Sequence, residues 1–169
     1  MNREVEELRK KIKEHEERIR TIEGLINSKE SIKEIKEVKC PNNLLVDAEI
    51  DKHDLAHVIY FDEKNFKIVC PIEGKTGIKQ FKAAIIILCF YYYCKNTDKI
   101  TALELGKIFK KSNVSKSNLS RTLQKKEYQK FIIPDGVPGS HEFSYIISNP
   151  LGIEKGLEII RELVFQEQI

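Results

Sequence analysis

The sequence predicts a mainly α protein with small β-hairpins. It consists of an N-terminal coiled coil and a C-terminal domain in which a pair of helices is followed by a hairpin. Three observations lead to this fold class: an apolar heptad repeat at the start, helical apolar spacing through most of the chain, and β-like runs around a Pro/Gly loop after residue 130. A chain of 169 residues suffices for one domain with an extension. We assign the coiled coil to residues 1–38, a β-hairpin-containing linking region to 44–74 and the C-terminal domain with its terminal helix to 75–169.

The heptad repeat occupies the first 26 residues. Its two seam positions hold Met1, Val5, Leu8, Ile12, His15, Ile19, Ile22 and Ile26. Apolar residues at this spacing are typical of coiled coils. In a parallel pair the charges beside the seam attract, whereas in an antiparallel pair Lys11 would oppose Arg18. We therefore expect a parallel homodimer; the alternative is an amphipathic helix that packs on the body of its own chain.

We interpret residues 39–43 as a linker and expect a β-hairpin beyond it. The runs 56–61 and 66–71 are β-like and are separated by four residues. This hairpin could form a small sheet against the C-terminal domain or a separate sensor or partner surface. His53 and His57 would share one face of a helix, but a metal site needs more ligands than this pair, so we expect none.

From about Gly77 the pattern becomes helical and apolar on nearly every side, which predicts a helix buried on several sides. The tyrosines that end this helix, Tyr91, Tyr92 and Tyr93, predict core and rim packing rather than base stacking. Residues 99–101 then predict a short strand.

A helix pair follows that strand. Thr101 and Glu104 have the spacing of a capping box, so the first helix should begin near Ala102 and fade at residues 111–113. Val114 can fill the turn. Ser115 is the predicted cap of the second helix, whose inward-facing residues are Leu119 and Leu123.

The helix pair leads into a hairpin and a terminal helix. Residues 131–133 and 143–147 predict two strands around the loop 134–140. The terminal amphipathic helix presents a stripe of Ile153, Leu157, Ile160 and Val164.

Positive charge is concentrated on the helix pair. Residues 95–130 contain ten Lys/Arg against three Asp/Glu, a net +7, although the whole chain carries only +3. Affinity for a phosphate backbone comes largely from Lys and Arg that displace condensed counterions. The local excess therefore favours a polyanion-binding surface.

Residues 82–147 resemble the winged helix-turn-helix superfamily of DNA-binding regulators, and residues 114–123 are similar to its recognition-helix segment. The resemblance implies that the second helix enters the major groove and that the hairpin, or wing, touches the flanking backbone. The implied groove-facing residues are Ser115, Lys116, Ser117, Ser120, Arg121 and Gln124. The wing tip carries no Arg or Lys, which leaves Lys130 and His141 as the nearest wing candidates.

The resemblance implies sequence-specific binding of double-stranded DNA by a homodimeric transcriptional regulator or similar factor, with the terminal helix as a second dimer element. Base edges would be read by Arg121, Asn118 and Gln124, and phosphates would be bound by Lys107, Lys110, Lys111, Lys125 and Lys130. One alternative is a protein–protein adaptor or scaffold without DNA readout, in which the winged helix binds protein and the coiled coil joins assemblies. Another is a nucleic-acid-processing accessory factor that binds without sequence preference.

The sequence disfavours other classes of protein. A segment at residues 73–77 lacks the upstream glycine of a nucleotide-binding loop, and no catalytic constellation stands out, so we expect neither an enzyme nor a cofactor. The longest apolar run, residues 83–94, is too short to cross a bilayer. The cysteines, Cys40, Cys70, Cys89 and Cys94, lack metal-binding spacing and favour reduced thiols, with Cys89 and Cys94 packed as small hydrophobes. We expect an intracellular, cytoplasmic and nucleoid-associated protein.

Overall fold

The structure is a computed structural model that describes residues 42–62 and 65–166. Within these residues the fold is mixed α/β, with seven helices and two small antiparallel sheets. In chain order the elements are α1 (Asn42–Ala48), α2 (Lys52–Val58), β1 (Ile59–Phe61), β2 (Phe66–Ile68), α3 (Thr76–Lys95), β3 (Lys99–Thr101), α4 (Ala102–Lys111), α5 (Leu119–Leu123), α6 (Lys126–Gln129), β4 (Ile132–Asp135), β5 (Ser144–Ile147) and α7 (Leu151–Gln166). The predicted coiled coil and Cys40 lie outside the described residues.

Helix α3 is the centre of the core. Its residues 83–90 are all fully buried, because their apolar side chains face neighbours on every side. Helix α7 packs along α3, while α1, α4, α5 and strand β3 contact other parts of it. The predicted buried helix is therefore confirmed. Tyr91 is buried, Tyr92 and Tyr93 are partly buried, and Tyr92 packs edge-on against Tyr93, as expected for core and rim positions.

The terminal helix α7 forms as predicted, and its apolar stripe is buried. It approaches α3 closely because Gly156 has no side chain: a Cβ there would lie 2.6 Å from the Cβ of Cys89. Cys89 is completely buried, as expected for a small hydrophobe, whereas Cys94 is only partly buried. Helix α3 covers the stripe within the same chain. That the terminal helix supports a dimer stays a prediction.

The hairpin β1–β2 forms with the predicted four-residue connection, and Ile59 pairs with Ile68. Both predicted β runs are partly wrong, because residues 56–58 end helix α2 and strand β2 ends at Ile68 rather than at residue 71. That helix is started by Asp51, whose carboxylate accepts a hydrogen bond from the Asp54 N–H at 2.9 Å. On α2, the ring centroids of His53 and His57 lie 4.8 Å apart, on one face as predicted.

Helix α1 was not predicted. It begins at Asn42, inside the segment that we assigned to a linker. The physical reason is tertiary: Leu44 and Ala48 lie one helical turn apart, both are fully buried, and α1 packs on α7 and α3.

The second sheet has the order β3-β5-β4, with both pairs antiparallel. Strand β3 has the predicted bounds, whereas β4 and β5 each begin one residue after the predicted runs, and β4 continues to Asp135, into the predicted loop. The main-chain N–H of Ala102 donates to the Phe143 carbonyl at 2.8 Å, which fixes the start of α4 to this sheet. The sheet thus connects the loop between β4 and β5 to the start of the helix pair.

Candidate nucleic-acid interface

The first helix of the pair, α4, forms one of the two hydrogen bonds of the predicted capping box. The Thr101 hydroxyl accepts from the Glu104 N–H at 3.2 Å, and α4 starts at Ala102. The Glu104 carboxylate turns towards α3, where it accepts a hydrogen bond from the Tyr91 hydroxyl at 2.6 Å and lies 3.8 Å from the Lys95 Nζ. The reciprocal half of the capping box is therefore replaced by a contact between α4 and α3. Burial and the Glu104 carboxylate raise the pKa of Tyr91.

The turn after α4 lies where the sequence predicted it. The helix ends at Lys111, and Asn113 adopts a left-handed conformation with φ of 56°. The Val114 N–H donates to the Phe109 carbonyl at 2.9 Å, and the partly buried Val114 side chain packs against the core. Val114 therefore fills the turn as predicted.

The second helix is shorter than predicted, and Ser115 is not its cap. Helix α5 begins at Leu119, and its N-cap is Asn118, in a left-handed conformation with φ of 58°. The Ser115 hydroxyl accepts from the Ser117 N–H at 3.3 Å within a non-helical connection. The predicted inward residues, Leu119 and Leu123, are both buried.

Gln80 holds this connection in place. Its side-chain Nε2 donates to the carbonyl oxygens of Ser115 and Ser117, each at 2.7 Å, and Gln80 is only 1% exposed. Our sequence analysis missed this residue. No local signal marked it, because Gln80 stands between Lys79 and Lys82 near the start of α3 and only the tertiary fold buries its amide.

The segment 115–125 presents a polar and basic surface, which we call the reading segment. Its exposed members are Ser115, Lys116, Ser117, Asn118, Arg121 and Lys125, and its partly buried members are Ser120 and Gln124. Burial raises the pKa of Tyr145, which lines a small pocket together with Ser120. Within the described residues, neither Lys116 nor Arg121 forms an ion pair.

The remaining candidate lysines do not all lie beside the reading segment. Lys107 and Lys111 are one turn apart on α4 and line a cleft under the β1–β2 hairpin. The Lys111 Nζ donates to the Asn65 Oδ1 at 2.7 Å. Lys110 is exposed and is not part of that lining. Lys107 and Lys111 therefore lie beside the β1–β2 hairpin.

The loop between β4 and β5 carries little charge. His141 is exposed there, and the Lys130 Nζ lies 4.7 Å from the centre of the Phe131 ring at the base of β4. Lys99 on β3 forms an ion pair of 2.6 Å with Asp135, and this contact raises the pKa of Lys99. Val137 is 71% exposed at the tip.

Comparison of the chain with protein-family models, with curated proteins and with solved structures finds no match. Among residues 42–62 and 65–166, no cluster of three His, Cys, Asp or Glu side chains could hold a metal ion. In the same part of the chain, no helix has the length and apolar character needed to span a membrane.

Proposed function

We propose that the protein binds double-stranded DNA sequence-specifically, as a homodimeric transcriptional regulator or similar factor, through a winged helix-turn-helix formed by α3 to β5. One observation carries the proposal: a polar, basic reading segment is exposed on a helix pair whose opposite face is buried. Leu105, Phe109, Leu119 and Leu123 form that buried face. The hairpin β4–β5 follows the pair and is completed by β3, which is the element order of that superfamily.

In this proposal the reading segment enters the major groove. Because α5 has only five residues, the connection before it supplies part of the contact surface. Asn118, Arg121 and Gln124 read base edges, since Arg pairs with guanine and Asn or Gln with adenine. Lys116, Lys125 and Lys110 bind phosphates and set the orientation of the segment on the duplex.

Dimerisation follows from the heptad seam at the N-terminus. Two copies of a reading segment would contact two half-sites one helical turn apart, about 34 Å, or a multiple of that distance. Since α7 uses its apolar stripe within the chain, the N-terminal seam is the dimer element in this proposal.

A protein–protein adaptor is the second candidate, and the loop between β4 and β5 favours it. Its tip presents the apolar side chain of Val137, and Ile133 on edge strand β4 is 46% exposed. An apolar edge and tip suit contact with protein better than contact with phosphates.

Binding of the full-length protein to random double-stranded DNA at about 50 and 200 mM salt tests the proposal. We expect a steep loss of affinity with salt, and a slope that is smaller by about 1 in Lys116→Ala/Arg121→Ala, because Lys116 is the phosphate contact that this variant loses. The control, Lys67→Ala/Lys155→Ala, removes the same charge elsewhere and should keep the wild-type slope. Selection of bound sequences should then enrich one motif.

Absence of binding at the lower salt concentration would overturn the DNA-binding proposal and favour the adaptor. Binding without enrichment of any motif would contradict sequence specificity. Sedimentation equilibrium tests the dimer separately, since two chains of 19.7 kDa are expected in each particle.

A further inference from the structure

A cleft lies between the β1–β2 hairpin, helix α4 and the end of α3, on the side of α4 that carries Lys107 and Lys111. Its volume is about 350 Å³, within the range of small-molecule sites. Phe61, Tyr91 and Leu103 contribute aromatic and aliphatic surface to its lining, and Leu103 is 60% exposed. The reading segment contributes no residue to this lining. The cleft is therefore separate from the proposed DNA interface.

Among the residues that the structure describes, the charged groups that line the cleft are three lysines, Lys95, Lys107 and Lys111, and two acids, Asp62 and Glu104. Both acids are engaged by neighbours. Glu104 accepts from the Tyr91 hydroxyl at 2.6 Å and faces Lys95 at 3.8 Å. Asp62 accepts from the Tyr60 hydroxyl at 3.1 Å and from the Asn65 N–H at 2.7 Å.

The lysines differ in what they contact. The Lys95 Nζ lies 4.1 Å from the centre of the Tyr91 ring, and the Lys111 Nζ is held by Asn65 at 2.7 Å. Within the described residues, the Lys107 ammonium has no hydrogen bond, ion pair or ring contact. Lys107 is thus the cation that an incoming anion can engage without displacing an existing contact.

We propose that this cleft binds a small aromatic anion, a carboxylate carried on one or two fused rings. The ring lies against Phe61 and Leu103, where its flat face removes apolar surface from water. The carboxylate lies at Lys107, with Lys111 one turn further along α4 as a second donor. A volume of about 350 Å³ accommodates a ligand of this size but not a folded peptide or an oligonucleotide.

Isothermal titration of the full-length protein with 2-naphthoate tests the inference without DNA. The result is therefore independent of the proposed DNA binding. We expect a dissociation constant below about 1 mM. The neutral amide 2-naphthamide should bind at least about tenfold more weakly, because it lacks the charge that Lys107 recognises. Absence of naphthoate binding, or equal affinity for the amide, would overturn the proposal.

Two variants locate the bound anion. Lys107→Gln should weaken naphthoate binding by about tenfold through loss of the charge-assisted contact. The control, Lys67→Gln, removes the same charge from strand β2, and Lys67 is not in the lining of the cleft. It should leave naphthoate affinity unchanged. Equal effects of the two substitutions would show that the anion binds elsewhere.

The apolar part of the cleft has its own test. Leu103→Ala removes an exposed side chain, so the fold is kept, and it should weaken the binding of naphthoate. Unchanged naphthoate affinity in this variant would refute the placement of the ring.

Discussion

The side-chain Nε2 of Gln80 lies 2.7 Å from the carbonyl oxygen of Ser115, a residue 35 positions later in the sequence. A second bond of the same length joins Gln80 to the carbonyl of Ser117. Both carbonyls belong to the connection that precedes α5, while Gln80 belongs to the core helix α3. The position of the reading segment therefore depends on a buried amide as well as on the packing of Leu119 and Leu123.

We predict that Gln80→Glu destabilises the protein although the two side chains have nearly the same shape. The substitution replaces the donor by a carboxylate oxygen that faces two carbonyl oxygens. Loss of two hydrogen bonds and the cost of an unpaired buried charge should total about 2–4 kcal/mol at neutral pH. Urea unfolding with linear extrapolation measures this difference in free energy of unfolding.

The same variant should recover stability as the pH falls. Burial and the facing carbonyls raise the pKa of the introduced carboxyl in the folded state, so the folded state binds the proton more tightly than the unfolded state. The protonated carboxyl can also donate one hydrogen bond. The control, Gln129→Glu, changes an exposed amide that donates only to the Gln124 carbonyl at 2.9 Å. It should cost less than about 1 kcal/mol. A difference in free energy of unfolding between Gln80→Glu and wild type that does not change with pH would contradict this account.

Arg121 and Lys110 should affect DNA binding in different ways. Arg121→Ala removes a proposed base contact and should reduce the preference for the selected site by about 1–3 kcal/mol. Lys110→Ala removes a proposed phosphate contact and should weaken binding to selected and scrambled duplexes alike. Affinities of both variants for the two duplexes, measured at one salt concentration, give the comparison. Equal loss of preference in both variants would contradict the assigned roles.

Patterns of residues close in sequence were sufficient to predict part of the fold. Thr101 caps α4, and the turn at Asn113 and strand β3 form where the sequence predicted them, because each depends on side chains close in sequence. The start of the first predicted β run was wrong. Ala56 to Val58 have β-like composition, but Asp51 starts a helix that extends through them.

Contacts distant in sequence decided the rest. Serine is a residue type that often caps helices, which is why Ser115 was predicted as a cap. Its carbonyl instead accepts a hydrogen bond from Gln80 in a non-helical connection, and no pattern of neighbouring residues indicates this contact. The stripe on α7 identified a buried face but not the partner, which is α3 of the same chain rather than a second subunit. Lys107 and Lys111 fitted a basic helix surface, and no local pattern indicated that they line a cleft beside the β1–β2 hairpin.

The Cys89 thiol should be unreactive in the folded protein. Burial raises its pKa from 9.0 to about 12, and its exposed fraction is zero. In a variant with serine at the other three cysteines, reaction with a thiol reagent at about pH 9 should proceed only as fast as the chain unfolds. A matched variant that retains only Cys94, which is partly exposed, should react faster. Similar rates for the two variants would contradict the burial of Cys89.

The raised pKa of Cys89 also determines how the free energy of unfolding changes with pH. Because the folded state favours the protonated thiol, this contribution is complete below the unfolded pKa near 9 and is lost as the pH rises towards 12. Cys89→Ala removes the thiol, so its free energy of unfolding should fall less steeply than that of the wild type between about pH 9 and 10. Parallel curves for the two proteins would contradict this linkage.

Two glycines should respond oppositely to alanine, although both lie inside helices. At Gly156 a Cβ would lie 2.6 Å from the Cβ and 2.9 Å from the Sγ of Cys89, so α7 must move away from α3. We expect overpacking to cost about 1–3 kcal/mol, only partly offset by the gain in helix propensity of about 1 kcal/mol. At Gly106 a Cβ meets no atom within 4 Å, so Gly106→Ala should stabilise the protein by about 0.5–1 kcal/mol. Urea unfolding measures the change in free energy of unfolding for each variant. Stabilisation by Gly156→Ala would mean that α7 does not pack against Cys89 as closely as the structure has it.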